Sequence, residues 1–374
     1  MKVLIATGLY YPEIGGPATH TAILERELPS RGVEVVTVAF GRVRKYPKII
    51  RHVVYTLQLF SKARGAKVIY ALDPVSVGLP ALIVATLMRK RLVLRVAGDY
   101  AWEQAKIRYK ATRFLDDFVT RMREQPIPIR ILGFVERFVA RRAWLIVVPS
   151  EYLKKIVLAW GHLEDTKVRV IYTAFSPIVI QESKEANRAM LGYKGTVIAS
   201  AGRLVPWKGF RRLIDVVADL TADFPDIHLV IVGDGPELAA LSAHAKEAGI
   251  PDRVMLTGRM SQEGLARAIA ASDIFVLNTA YEGFSHQLLE VMSLKVPIVA
   301  TNVGGNPELI THNKEGMLIP YDDRSGLRDA LTHLLRSAED RARFVAAAHE
   351  RVHSFTVERM LADVHDVLTH AATD

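Results

Sequence analysis

The 374-residue sequence contains no cysteine. That absence excludes a disulfide framework, a Cys-ligated zinc and a thiol nucleophile, so a small stapled secreted module is ruled out and a reducing cytoplasm fits best. Long apolar runs are missing as well. The longest, Val75 to Met88, is interrupted by Ser76, Gly78, Pro80 and Thr86 and falls short of the roughly 20 residues that span a bilayer. The opening run from Val3 to Ala6 is shorter than a signal-peptide core of about 7–15 residues and reads as a first strand. No Asp-x-Asp triplet occurs, and Asp116-Asp117 and Asp322-Asp323 do not supply that spacing, so a common divalent-metal anchor is lacking. The G-x-G-x-x-G fingerprint of dinucleotide binding is absent too.

What is present is an ordinary globular balance for roughly two domains, with 49 Lys+Arg, 40 Asp+Glu and half the residues hydrophobic. The charge is unevenly spread. Residues 1–172 carry 29 Lys+Arg and 14 Asp+Glu, which leaves 20 and 26 for residues 173–374. A first half at +15 suggests an anionic partner, either nucleic acid or an acidic membrane surface.

Short β-branched runs alternate with longer stretches of helical spacing. Lys2–Thr7, Glu34–Phe40, Lys67–Leu72, Leu92–Val96 and Trp144–Val148 predict buried parallel strands in the first half. Thr196–Ala201, His228–Val232, Arg253–Thr257, Ile274–Leu277 and Pro297–Thr301 repeat the pattern in the second, with helical stretches such as Phe210–Leu220 and Pro236–Ala248 between them. The expected fold is α/β, with two doubly wound parallel-sheet domains at 1–172 and 195–354. A polar stretch at 173–194, with Pro177 and Gly192, suits a hinge, and Phe355–Ala371 reads as a closing helix that packs back on the first domain. Open α/β sheets bind ligands beyond the carboxyl ends of their strands, so the active site is expected in a cleft between the domains. Residues 98–130 interleave Tyr100, Trp102, Tyr109, Phe114 and Phe118 with Lys and Arg, a mixture that can meet a bilayer surface or single-stranded nucleic acid or can equally pack on its own domain.

Several strand-end loops carry chemistry. Gly15-Gly16-Pro17 precedes a helical pattern, and paired glycines before a helix start let amides approach a phosphate. In Gly202-Arg203-Leu204-Val205-Pro206-Trp207-Lys208-Gly209, Arg203 follows a strand and Lys208 precedes a helix. Such a pair can neutralise a diphosphate whose charge grows as its bond to a sugar breaks. Val232-Gly233-Asp234-Gly235-Pro236-Glu237 and Gly258-Arg259-Met260-Ser261 repeat the scheme, with Pro236 and Ser261 placed to open helices. Tyr281 to Glu290 holds two carboxylates eight positions apart. A helix starting near Ser285 would leave Glu282 in the loop, beside Phe284, and carry Glu290 inside the helix, with amides at Ser285 and His286 facing a phosphate. Glu282 could meet a sugar, and Glu290 could accept hydrogen bonds from ribose hydroxyls. His20 and His286 are polar candidates near the cleft, and Tyr100, Trp102 and Glu103 could shape an acceptor pocket.

Gly15-Gly16, GRLVPWKG, VGDGPE, the pair Glu282 and Glu290, and VGGNPE at 303–308 resemble, in that order, the motifs of glycosyltransferase family 4. The resemblance spans nearly the whole chain. It implies a retaining enzyme of GT-B fold, with two Rossmann-like domains, that uses a nucleotide sugar such as a UDP- or GDP-sugar and needs no metal or other cofactor. It further implies that Arg203 and Lys208 grip the diphosphate, that the Gly15-Gly16 backbone closes over it, and that Glu282 touches the sugar. Glu290 would bind the ribose, and Arg259-Met260 would lie near the base. Several members have a His at the end of the fourth strand; Asp99 takes the nearest place here and becomes a catalytic or acceptor-side candidate. With the basic first half, the expected acceptor is a glycan or a polyprenyl-diphosphate-linked sugar, met in the cytoplasm at the inner face of the membrane, and no nucleic acid is expected. A hydrolase or epimerase on the same fold is the nearest alternative, and a basic nucleic-acid binder a more distant one.

Overall fold

A computed structural model describes residues 1–11, 13, 16–175 and 178–373, so Gly15 and Pro177 lie outside the described residues. The chain divides into two compact units: Met1–Ala174 with Val357–Asp374, and Phe175–Thr356.

The first unit is built on six parallel strands, β1 (Lys2–Thr7), β2 (Glu34–Ala39), β3 (Val68–Ala71), β4 (Arg91–Arg95), β5 (Leu145–Val148) and β6 (Val168–Val170), in the order β2-β1-β3-β4-β5-β6. Val3 of β1 stands opposite Val35 on one side and Val68 on the other. The strands are continuous apolar runs because helices cover both faces of the sheet. All four residues of β3 are buried. Helix Val357–Thr373 buries Met360, Leu361, Val364, Val367 and Leu368 in one core with Ile5, Leu24, Tyr70 and Val93.

The second unit repeats the design with β7 (Thr196–Ala201), β8 (Ile227–Val232), β9 (Val254–Gly258), β10 (Ile274–Leu277), β11 (Ile298–Thr301) and β12 (Met317–Ile319), ordered β12-β11-β10-β7-β8-β9. Its core joins Ile198, Leu229, Ile231 and Val276 to the apolar stripe of helix Phe210–Leu220, where Leu213, Ile214, Val216 and Val217 are fully buried. The strand order reverses between β7 and β10, because β8 and β9 lie to one side of β7 and β10 to β12 to the other. At such a reversal the loops beyond two adjacent strands diverge and leave a crevice.

One expectation is corrected. The stretch 173–194 is not a free hinge throughout, since Lys184–Leu191 forms a helix capped by Ser183 and ended by Gly192 at φ +69°. Lys184 and Arg188 on that helix both pair with Asp273, and Arg267 pairs with Glu182, so the segment is bound into the second unit. The insertion at 98–130 is likewise folded on its own unit. Trp102 and Phe118 are buried, Lys106 lies over the Trp102 ring, and Arg113 and Arg121 are engaged by Asp117 and Glu124. Arg113 and Arg121 are thereby paired within the insertion, whereas Arg123 is exposed and lines a groove with helix Ile127–Arg142.

Candidate active site

In the second unit the backbone itself makes the floor of the site. Leaving β7, the chain passes Gly202 and Arg203 and turns tightly at Pro206–Lys208, and this loop is stitched to the loop after β10. The Ala280 amide donates to the Trp207 carbonyl at 2.7 Å, and the Asn278 side-chain amide donates to the Gly209 carbonyl at 3.0 Å. The loop after β8 joins on one side, where the Leu204 amide donates to the Asp234 carbonyl at 3.0 Å and that of Gly233 to Gly258. The loop after β11 joins on the other, with the Gly305 amide donating to the Glu282 carbonyl at 2.9 Å.

Two glycines make these approaches achievable. Gly233 has φ +153°, and a Cβ there would stand 1.9 Å from the Gly202 carbonyl oxygen; Gly304 has φ +58°, and its Cβ would stand 2.0 Å from that of Glu282. No side chain fits either place.

On this floor Lys208 donates from Nζ to Oε1 of Glu282, each side chain being 18% exposed. The pair joins the two loops at the point where the strand order reverses. An ammonium carries three donors, so Lys208 keeps two for a further anion. Arg203 and Arg259 are exposed, and their side chains make no hydrogen bond or ion pair among the described residues. Met260 is half-buried and is followed by Ser261, which caps helix Gln262–Ala270 by accepting from the Gly264 amide.

Ser285 caps helix His286–Ser293 through a hydrogen bond from the Leu288 amide at 3.2 Å. Phe284 is buried, its ring 5.5 Å from that of Phe355, and His286 is half-buried at the first helical position. Glu290 lies one turn farther on. Its side chain has no hydrogen-bond or ion-pair partner among the described residues, and burial pushes the carboxyl up to about 7. A carboxyl in this position is poised to accept two donors from a ligand, which would favour its ionised form. Pro236, expected to open a helix, precedes it instead; the helix runs Leu238–Glu247 behind Glu237.

The first unit presents a different picture. Gly16 begins helix Gly16–Glu27, while its neighbour Gly15 lies outside the described residues. His20 is buried on that helix with Nε2 3.4 Å from the Tyr70 hydroxyl. Asp99, expected to act on a substrate, is withdrawn from one: it is wholly buried, its Oδ1 accepts from the Trp102 amide at 2.7 Å and its Oδ2 from the Trp160 indole at 3.1 Å. It is the N-cap of helix Tyr100–Tyr109. Trp102 is sealed as well, with its indole donating to the Arg113 carbonyl, so neither shapes a pocket for an acceptor. Tyr100 and Glu103, in the first turn of the same helix, are partly exposed.

Sequence reasoning passed over Glu136. Its Oε1 accepts from the amides of Tyr100 and Ala101, at 2.7 and 3.3 Å, so two carboxyls serve one helix start. Burial, with the Asp99 carboxylate beside it, holds the Glu136 carboxyl well above the usual range. A lone Glu between Val135 and Arg137 on a helix gives no sign of this. Asn278 was passed over too, although a polar residue directly after the apolar run of β10 is a strand-end signal.

Comparison with known proteins agrees with this geometry. Residues 182–351 match the family model for glycosyl transferases group 1. The chain is 26% identical to N-acetyl-alpha-D-glucosaminyl L-malate synthase of Bacillus anthracis over 96% of this chain and 94% of that protein. It is 31% identical, over 48% of each chain, to the GDP-mannose-dependent alpha-(1-6)-phosphatidylinositol monomannoside mannosyltransferase of Mycobacterium tuberculosis. The solved structure of Anabaena Alr3699/HepE in complex with UDP-glucose matches with a TM-score of 0.79 at 18% identity, over 99% of this chain and 100% of that one. The fold is therefore GT-B. The second unit carries the match to the group 1 glycosyl transferase model, and the chain is a glycosyltransferase.

Proposed function

We propose that the chain moves a sugar from a nucleoside-diphosphate donor, a UDP- or GDP-sugar, onto a hydroxyl of a glycan or a polyprenyl-diphosphate-linked acceptor in surface-polysaccharide or glycoconjugate assembly. The reaction retains anomeric configuration, uses no metal, and takes place on the cytoplasmic side against an acidic membrane surface. One observation carries the reading. The loops at the strand-order reversal of the second sheet bring Lys208 and Glu282 together, with Arg203 on the same loop as Lys208 and Glu290 on the helix that follows Glu282.

In this mechanism Lys208 keeps Glu282 with one ammonium proton and offers the other two to the diphosphate, while Arg203 supplies a second, unpaired charge. The bond from the anomeric carbon to the phosphate oxygen breaks. A bond to the acceptor oxygen forms on the same face, and the hydroxyl proton passes to the departing phosphate. Developing negative charge is met by cations already in place, which is the condition for electrostatic catalysis. Glu282 orients the sugar, Glu290 accepts from the ribose hydroxyls, and the backbone around Gly233, Arg259 and Met260 lies near the base. Phe284, Ser285 and His286 form the helix start that faces the phosphates. His20, Tyr100 and Glu103 remain the acceptor-side candidates.

The test is a thermal-shift panel of UDP, GDP and ADP and their sugars, with and without EDTA, on wild type and Glu290→Ala. A base-specific rise in melting temperature that survives EDTA and fades in the variant is the expected result, because a ligand of the folded state stabilises by mass action. Indifference to every nucleotide would defeat the reading. Lys208→Ala is expected to lower turnover by about 10²–10³. Near-wild-type turnover there would take Lys208 out of the mechanism.

A further inference from the structure

The first sheet carries a helical layer with two apolar sides. Helices Lys48–Lys62, Gly78–Leu87 and Ile127–Arg142 all belong to connections that run the same way along the sheet, so right-handed crossovers place them on one face, where neighbouring helices touch. A helix that covers a sheet buries one stripe and turns a polar side to water. Helix Lys48–Lys62 buries Tyr55 and Leu59, yet also exposes Ile49 (81%), Val53 (54%), Leu57 (64%) and Phe60. Those four recur at steps of four, four and three, a second stripe on its outer side. Helix Ile127–Arg142 buries Ile129 and Val139 and exposes Ile127, Ile131 and Phe134, and Ile83 and Leu87 of the helix between them are exposed too. Ten of the 18 exposed large hydrophobics among the described residues lie on these three helices, which is a patch and not the scatter of an ordinary surface.

Charge says what the patch meets. From Phe40 to Arg64 the sequence has seven Lys and Arg and no Asp or Glu. On helix Ile127–Arg142 a groove sets Arg123, Arg130, Arg137, Arg141 and Arg142 around Ile131 and Phe134. The Arg123 and Arg130 side chains have no hydrogen bond or ion pair among the described residues, and the Arg141 guanidinium donates only to the Gly161 carbonyl. Nucleic acid would use the cations and leave the aliphatic stripes exposed. A bilayer uses both, because aliphatic side chains enter the boundary between headgroups and acyl chains while guanidinium groups stay with the phosphates. Helices laid side by side on a sheet also hold their outer stripes at a common level.

We propose that this helical layer docks on a bilayer of anionic phospholipid, with Leu57, Ile131 and Phe134 as anchors and Arg123 and Arg130 as phosphate contacts. It rests on the reading of a lipid-linked acceptor given above and supplies the surface by which the enzyme would reach it.

Co-sedimentation of the full chain with phosphatidylcholine vesicles, with and without phosphatidylglycerol, tests it. Binding is expected only where phosphatidylglycerol is present, to fall as salt rises, and to weaken about tenfold or more in Phe134→Asp and in the double variant Arg123→Glu/Arg130→Glu. Both variants change exposed side chains and should keep the nucleotide-induced thermal shift, which verifies that they are folded. No sedimentation with either vesicle, variants that bind like wild type, or a wild-type dimer that Phe134→Asp dissociates would each overturn the proposal. Absence of any nucleotide shift in wild type would instead strike the sugar-transfer reading and leave the vesicle result standing.

Discussion

Glu290 carries its own pH signature. Its carboxyl is pushed up to about 7 by burial, so near neutrality a large fraction of the protein holds it protonated. Two ribose hydroxyls donate far more strongly to the ionised form, which has no proton of its own to place, so binding on the acid side of 7 bears the cost of removing that proton. Nucleoside-diphosphate affinity should therefore rise between pH 6 and pH 8, by up to about tenfold per unit below 7. Titration calorimetry on wild type and Glu290→Gln reads it. The nucleotide's own phosphate titrates alike in both experiments, so the difference between the two profiles isolates the carboxyl. Parallel profiles would take Glu290 away from the ribose.

At the scale of elements, helix Tyr100–Tyr109 shows how burial and charge are reconciled. Asp99 and Glu136 occupy its first amides, and burial, with the Asp99 carboxylate beside it, raises the Glu136 carboxyl well above its ordinary range. A folded-state pKa above the unfolded one means that Glu136 contributes stability in full below about pH 4, losing it as pH rises toward the folded value. Glu136→Gln keeps the acceptor without the titration, so its melting temperature should gain on wild type from pH 5 to pH 8. Glu136→Ala, which strands two amides, should cost about 1–3 kcal/mol at pH 4, where wild type keeps its full contribution, and less at higher pH. A Gln variant that tracks wild type at both pH values would mean that Glu136 is ionised.

The sequence could not disclose this arrangement, because it depends on Trp160 and Glu136 meeting a helix start 61 and 36 positions away. Apolar runs of four to six residues were legible as strands, since burial on both sheet faces leaves an unbroken pattern. β6 and β12, with three residues each, are too short to show one. Helix Lys184–Leu191 was hidden by its polar composition, although Ser183 and Gly192 are ordinary cap signals. The loops of the candidate site were legible one by one. That Lys208 and Glu282 pair across 74 positions follows only from the strand order.

For the whole molecule, the path of the chain matters more than its length. It leaves the first unit at Ala174, builds the second, and returns at Val357. The first unit thus contains two separate segments, and its core depends on the returning one, whose Leu361, Val364 and Leu368 are packed among Leu24, Tyr70 and Val93. The second unit is continuous and contains the residues assigned to the nucleotide, apart from Gly15 and Gly16. Ending the chain at Thr356 should therefore unfold the first unit, by exposing one wall of its core, and leave the second intact. Calorimetry of the full chain should show two transitions, of which a nucleoside diphosphate raises one, since each unit has its own core and a ligand stabilises the unit that holds its contacts. The shortened chain should keep only the ligand-responsive transition. Loss of both transitions would mean that the second unit cannot fold without the first.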